Sequence, residues 1–355
     1  MNLKVLIFSL FLVPIVTFAQ EEEDYSMYDD LEYADEGGTT YASPKINGVS
    51  PNRFINVAWD LQSPYTLNSS EIKGFTPDAS WSTKESSNVS YTGGLRLNAN
   101  IPVISRNNIV WQMGANYMNT NFSIDKADPS DEPILSELNS RSLKTGGLFT
   151  TVYKPLNEKQ FLIFQGQADY NGNYTLSDFH SLGLTKYSAA VLWGKRPHDR
   201  LQWAIGASRT YRVGELNYVP IVMYNWTSKN EKWGTEILFP ARAHGKYWVS
   251  KKSLIMYGYE LEGGSYHLEG LSKDGNSFEL RRGEIRPRIE WNRKLVGFFW
   301  LNAQLGARIN YGFAYDELEN GKEFFRGFFG KQEIEAFSSL GTSLYGLVGI
   351  SFVSL

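Results

Sequence analysis

The feature that most constrains the fold is a fifteen-residue stretch, residues 89–103, in which apolar and polar side chains alternate. Its apolar set is Val89, Tyr91, Gly93, Leu95, Leu97, Ala99, Ile101 and Val103. Successive side chains of a strand point to opposite faces, so this pattern predicts a strand with one apolar and one polar face. Strands of soluble sheets usually have about 5 to 6 residues, whereas crossing a bilayer at a tilt takes about 9 to 11. The stretch is therefore long enough to span a membrane.

Similar alternation recurs along the chain and predicts about fourteen strands. The predicted segments are 52–62, 89–103, 109–117, 141–154, 160–172, 183–194, 201–213, 218–227, 232–240, 246–250, 253–264, 276–291, 296–311 and 342–355. The pattern is weakest over residues 218–253, which leaves twelve strands as the alternative count. We therefore expect an all-β fold, an antiparallel up-and-down barrel that spans the outer membrane.

The links between these segments and the positions of the tryptophans support the same architecture. Short links near residues 105–108, 155–159 and 292–295 contrast with longer ones such as 63–88 and 312–341. Outer-membrane barrels have short periplasmic turns and longer outer loops. Tryptophans near the short links predict a girdle at the membrane interface, since an indole ring suits that boundary. The residues in question are Trp111, Trp193, Trp203, Trp226, Trp233, Trp248 and Trp291.

The first fifty residues differ from the rest. Residues 1–19 place Lys4 before an apolar run and end in Ala19, the pattern of a cleavable signal peptide. Residues 20–50 follow as a predicted disordered periplasmic extension, because 20–36 carry nine acidic side chains and no basic one. The barrel itself is then expected over 51–355. Without cysteine the chain has neither a lipid attachment site nor disulfides, and its net charge of -3 argues against nucleic acid as a partner.

Three stretches resemble a family of uncharacterised outer-membrane β-barrel proteins. They are EILFPARAHGKYWVSKKSLIMYGYELEGGSYHLE at 236–269, RRGEIRPRIEWNRKL at 281–295 and FFWLNAQLGARINYGF at 298–313. The resemblance implies an outer-membrane location and a barrel fold, and it implies no established substrate.

The face opposite the apolar one should line the lumen, and there the chain concentrates charge. The candidates are Arg282, Glu284, Arg286, Arg288, Glu290, Gln304 and Arg308. Facing water, these side chains would form a constriction that favours anionic or polar solutes. Alternatively, the same charges pair across strands and only fill the interior, because buried charges need partners whether or not a solute passes.

The link at 312–341 contains a second candidate, Phe324, Phe325, Phe328 and Phe329. Their spacing places four rings on one side of a short helix, which predicts a plug or lid, or else a helix packed on the barrel rim.

These observations predict a porin-like channel for small polar solutes of unknown identity. The alternatives are an uptake barrel for hydrophobic compounds and a filled barrel with a structural or adhesive role. The four histidines show no metal-ligand spacing and no catalytic motif accompanies them, so we expect no enzyme activity and no cofactor. The expected partners are outer-membrane lipid and the barrel-assembly machinery.

Overall fold

The computed structural model describes residues 41–72, 86–125, 133–174, 184–212, 214, 216–269, 277–318 and 336–354. Its strands are β1 (Asn52–Gln62), β2 (Tyr65–Ile72), β3 (Ser86–Arg106), β4 (Ile109–Ile124), β5 (Leu143–Pro155), β6 (Gln160–Gly172), β7 (Thr185–His198), β8 (Leu201–Thr210), β9 (Asn217–Thr227), β10 (Trp233–Phe239), β11 (Arg242–Ser250), β12 (Ser253–Leu268), β13 (Ser277–Val296), β14 (Phe299–Leu318), β15 (Ala336–Leu340) and β16 (Ser343–Ser354). Within these ranges one helix, α1, covers Pro133–Ser140. Among the described residues, no helix has the length and apolar character needed to cross a membrane.

Antiparallel pairing of neighbouring strands closes a fourteen-strand barrel. β1 completes the ring, because one of its edges pairs with β16 and the other with β3. The remaining two strands, β2 and β15, continue β1 and β16 at the long-loop end and pair with each other there. The predicted antiparallel barrel and its strand count are confirmed.

Strand parity gives the barrel an apolar outer surface. In β1 the side chains of Val57 and Trp59 are 46% and 49% exposed, whereas those of Ala58 and Asp60 between them are 3% and 4% exposed. Exposed apolar side chains facing lipid and buried polar ones facing inward are the arrangement expected of a membrane barrel. The alternation read from the sequence therefore has its apolar face toward the bilayer.

Six of the seven predicted girdle tryptophans lie on this outer surface near the short turns. Trp226, Trp233 and Trp291 are 38%, 50% and 42% exposed, and the rings of Trp193 and Trp203 meet edge to face at 5.8 Å. Trp111 lies on the same face of β4 as the exposed Met113. Their role as membrane anchors stays a prediction.

Trp248 was predicted to lie in the girdle, and this prediction is wrong. It lies two residues after the inward Lys246, and its Nε1 donates to the carbonyl of Gly48 inside the barrel at 3.0 Å. Alternation within β11 therefore points this ring into the lumen. The predicted strand 246–250 is correspondingly too short, because β11 begins at Arg242.

At the long-loop end the barrel narrows to a smaller ring. Beyond the pair Arg242–Glu260, β12 has no β11 partner, and the end of β6 reaches it instead at His267. This contact closes a smaller ring of nine strands, in the order β6, β12, β13, β14, β15, β2, β3, β4 and β5. Strands β7 to β11 are not part of it.

A core of apolar side chains fills the nine-strand ring. It includes Leu135 and Leu138 of α1 together with Tyr65, Leu67, Val89, Phe122, Ile124, Leu143, Tyr266, Leu268, Phe278, Leu280, Phe313, Tyr315 and Leu340. Side chains alone can fill a barrel of about eight strands, so a nine-strand ring is small enough to be packed solid. The helix and this core were not foreseen from the sequence. The axis of the barrel is closed at its outer end.

Candidate functional site: two walls of the lumen

One wall of the lumen carries the charged residues predicted from the sequence. Arg282, Glu284, Arg286, Arg288 and Glu290 follow one another on the inward face of β13, and Arg308 faces them from β14. The side chains of these six residues are between 3% and 8% exposed. They are therefore brought together as expected, but largely out of contact with water.

These side chains belong to a continuous network of ion pairs. Glu262 is central to it: it lies 2.7 Å from Arg96 and 2.8 Å from Arg286. The network runs in the order Arg53, Glu290, Arg288, Glu260, Arg286, Glu262, Arg96, Asp60, Arg308, Glu284 and Arg282. Gln304 completes this wall by donating to Glu290 at 3.1 Å. Each arginine neighbours a carboxylate, as the space-filling alternative requires.

The sequence reading missed five members of this network: Arg53, Asp60, Arg96, Glu260 and Glu262. Asp60, Arg96, Glu260 and Glu262 stand between apolar neighbours on β1, β3 or β12, on the face opposite the exposed side chains. Arg53 has the parity of the outward Ile55, and a register shift between these two residues turns it inward. Parity could therefore have placed only the first four in the lumen. Their partners could not be read from parity, because the cross-strand register decides which charges meet.

The opposite wall of the lumen is apolar. Phe161, Leu192, Ala204 and Met223 form a buried cluster on β6 to β9, against which Ile163, Ile221 and Leu238 also pack. A cavity of about 120 Å³ opens beside this wall. Its lining includes Ile163, Leu192, Met223 and Leu238 together with the polar Gln165, Asn225, Glu236 and Arg242.

The cavity lies where the strands of the barrel wall are shortest. β10 and β11 have only 7 and 9 residues, whereas β12 and β13 beside them have 16 and 20. Leu238 near the end of β10 and Arg242 at the start of β11 both line the cavity. The cavity therefore reaches the rim of this short hairpin, outside the nine-strand ring.

Residues 41–50 cross the inside of the barrel at its short-turn end. The amide of Ala42 donates to the carbonyl of Asn157 at 3.0 Å, and that of Asn47 to the carbonyl of Asp199 at 2.7 Å. Both acceptors lie in short turns. We call residues 41–50 the N-terminal plug.

Inward side chains fix the N-terminal plug to the wall. Tyr153 donates through its hydroxyl to the carbonyls of Ala42 and Ser43 at 3.2 and 3.1 Å. Lys246 and Trp248 both donate to the carbonyl of Gly48, and the Ser50 hydroxyl donates to Glu236 at 2.6 Å. The last ten residues of the predicted extension are thus packed, and not extended in the periplasm. The other residues of that extension, 20–40, lie outside the described part of the chain.

The second site predicted from the sequence cannot be placed. Phe324, Phe325, Phe328 and Phe329 lie outside the described residues. Within the described ranges, no group of three or more histidine, aspartate and glutamate side chains is arranged to hold a metal ion.

Several solved structures are similar in fold. An outer-membrane channel from Pseudomonas putida F1 has 14% sequence identity and a TM-score of 0.38, with 89% of this chain and 98% of that chain covered. The Pseudomonas putida toluene transporter TodX has 7% identity and a TM-score of 0.31, covering 89% and 95%. The outer-membrane protease OmpT from Escherichia coli has 8% identity and a TM-score of 0.31, covering 86% and 98%. We infer neither solute nor activity from these likenesses.

No curated protein sequence matches the chain. A family model does: the one described as a domain of unknown function, DUF6268, matches residues 59–353, which is most of the chain. The chain therefore belongs to the DUF6268 family.

Proposed function

We propose that this barrel takes up small hydrophobic compounds, which enter from the side and not along the barrel axis. The observation that carries the proposal is the position of the cavity. It adjoins the apolar wall at the rim of the short β10–β11 hairpin, while a packed core occupies the nine-strand ring that closes the axis. A compound dissolved in the outer part of the bilayer would thus reach the lumen without crossing that core.

The paired charges favour this proposal over a porin-like channel for polar solutes. A porin lumen is filled with water, whereas the side chains of Arg286 and Arg308 are 6% and 4% exposed and paired. Pulling these charges apart to admit a solute would be costly, because breaking a buried ion pair leaves an uncompensated charge. In this proposal the charged wall stabilises the barrel, and the hydrophobic compound passes along the apolar wall. The proposal contains no catalytic step.

Passage toward the periplasm requires the N-terminal plug to move. The plug spans the short-turn end and is held by hydrogen bonds from Tyr153, Lys246 and Trp248. Hydrogen bonds of this kind each contribute about 1 kcal/mol net. A local rearrangement of the plug therefore costs less free energy than unfolding the barrel. The plug is accordingly the inner gate of the proposed route.

Uptake of benzene tests the proposal, because benzene is apolar and is among the smallest compounds that the proposal covers. Cells with an intact outer membrane that make the barrel should take up radiolabelled benzene faster than cells without it. Met223→Trp, which fills the cavity, should remove the difference. Met113→Trp, the same change on the lipid face, should leave uptake unchanged.

A second measurement separates the alternatives. Liposomes that contain the purified barrel should not swell in isotonic solutions of small sugars. Swelling would identify a channel for polar solutes, and the proposal would then be wrong. Normal folding without swelling and without benzene uptake would identify a filled barrel without transport.

For the start of the chain we propose cleavage of the signal peptide after Ala19 and insertion by the barrel-assembly machinery. The apolar run before Ala19 and the acidic residues after it support this. The intact mass of the protein purified from the outer membrane should correspond to a chain that starts at Gln20. A mass that includes residues 1–19 would contradict it.

A further inference from the structure

Four polar side chains line the cavity, and they differ in whether they already have partners. Glu236 accepts from Ser50 and from Lys246, at 2.6 and 2.9 Å. The side chains of Gln165, Asn225 and Arg242 make no hydrogen bond or ion pair with any described residue, although all three line the cavity. Their donors are therefore available to a ligand, beside an apolar surface.

Arg242 is the member of this set that carries a charge. Its partner in the register between β11 and β12 is Glu260. Glu260 forms its ion pairs with Arg286 and Arg288 and interacts with Arg242 only at longer range. The side chain of Arg242 is exposed, so its guanidinium is accessible to a ligand.

The adjoining network adds to the positive charge of Arg242. It contains six arginines and five carboxylates, so it has an excess of one positive charge before Arg242 is added. Most side chains of the network are buried, and solvent screens buried charges less than exposed ones. The lumen beside the cavity is therefore suited to an anion.

We infer that the cavity binds amphipathic carboxylates, with the apolar body against Leu192 and Met223 and the carboxylate at Arg242. Gln165 and Asn225 supply further donors to the carboxylate oxygens, and the planar guanidinium suits a carboxylate through two parallel hydrogen bonds. This inference rests on the proposed function and narrows its substrates from hydrophobic compounds in general to those with an anionic head group.

A pair of compounds of similar size tests the inference. Benzoate and benzyl alcohol have the same ring and differ in the charge of the head group. Binding to the full-length barrel in lipid nanodiscs is measured by calorimetry at neutral pH, with empty nanodiscs subtracted. Wild type should bind benzoate more tightly. Arg242→Gln should weaken benzoate binding roughly ten- to hundredfold and alter binding of the alcohol less than about twofold.

Two further variants complete the design. Arg242→Lys keeps the charge and should restore part of the benzoate affinity, and Arg106→Gln, the same neutralisation at the last residue of β3, should change nothing. Heat-modifiable gel mobility identifies the folded fraction of each variant, and affinities are compared on that fraction only.

The outcomes separate this inference from the proposed function. If both compounds bind wild type equally, or if Arg242→Gln weakens both alike, the anion site is wrong while uptake of hydrophobic compounds stands. If neither compound binds folded wild type, the anion site is wrong, and the benzene experiment decides separately on the proposed function.

Discussion

Single residues in the ion network hold together strands that are far apart in the sequence. Asp60 of β1 is 4% exposed and pairs with Arg96 of β3 and Arg308 of β14. β3 and β14 are not hydrogen-bonded to each other, so this carboxylate joins strands across the point where the barrel closes. A buried charge that loses its partner costs more than the pair contributes, because desolvation is then uncompensated.

Asp60→Asn should therefore lower the free energy of unfolding by about 3 kcal/mol, since it leaves Arg96 and Arg308 with one fewer anion. The measurement is urea unfolding of the barrel in lipid vesicles, followed by tryptophan fluorescence. Asp199→Asn is the matched control, because Asp199 pairs with Arg196 in a short turn and its side chain is 76% exposed. That change should cost less than about 1 kcal/mol. Equal effects would show that the network does not stabilise the closure.

The N-terminal plug is the element whose position most affects passage through the barrel. Several of its backbone carbonyls accept from side chains of the wall, as in the bonds from Tyr153 and Trp248. At Gly48 the backbone has a φ of +69°, and an added Cβ would lie 2.8 Å from Thr227. The position of the plug therefore depends on its backbone conformation at Gly48 as well as on its hydrogen bonds.

The double variant Tyr153→Phe with Trp248→Phe should loosen the plug without opening the barrel, because it removes two of the side-chain donors and leaves an aromatic ring at each position. Docking should weaken by about 1 to 3 kcal/mol. Hydrogen exchange at the amides of Ala42 and Asn47, which donate to the short turns, should become faster, while amides of β13 stay protected.

The control for the plug is Tyr257→Phe with Trp233→Phe, the same two changes at side chains that are each 50% exposed on the lipid face. Exchange in the plug should then remain slow. Equally fast exchange in both double variants would mean that these hydrogen bonds do not hold the plug.

For the whole molecule, the apolar outer surface and the inner network together require a bilayer around the barrel. On β14 the outward residues from Phe299 to Tyr311 form the apolar band, and Leu305 lies at its middle with 69% exposure. Nothing in the inner network contacts that face. The lipid face can therefore be tested separately from the lumen.

Leu305→Arg should destabilise the barrel in vesicles by about 2 to 4 kcal/mol, as expected for a cation at the bilayer midplane. Val296→Arg is the control for depth, since Val296 is 71% exposed but ends β13 beside a short turn. Near the interface the same charge should cost about 0 to 1 kcal/mol. Similar losses at both positions would place the membrane elsewhere on the barrel.

The sequence by itself determined the class of fold, the lipid face and the inward position of the β13 charges. All three depend on the two-residue period of a strand, which is local and visible in residues such as 89–103. The same local reading assigned Trp248 to the wrong face, because the predicted strand covered only 246–250 and its short alternation was too weak to fix its parity.

Only the tertiary structure decided whether the lumen is a straight channel. The contact between His267 and Gly172 that narrows the barrel, and the seat of residues 41–50 across the short-turn end, join residues about a hundred or more positions apart. No local pattern encodes such contacts, because they depend on the register and length of every strand between. For the same reason the partners of Glu262, and the position of Arg242 beside the cavity, emerged only from the closed barrel.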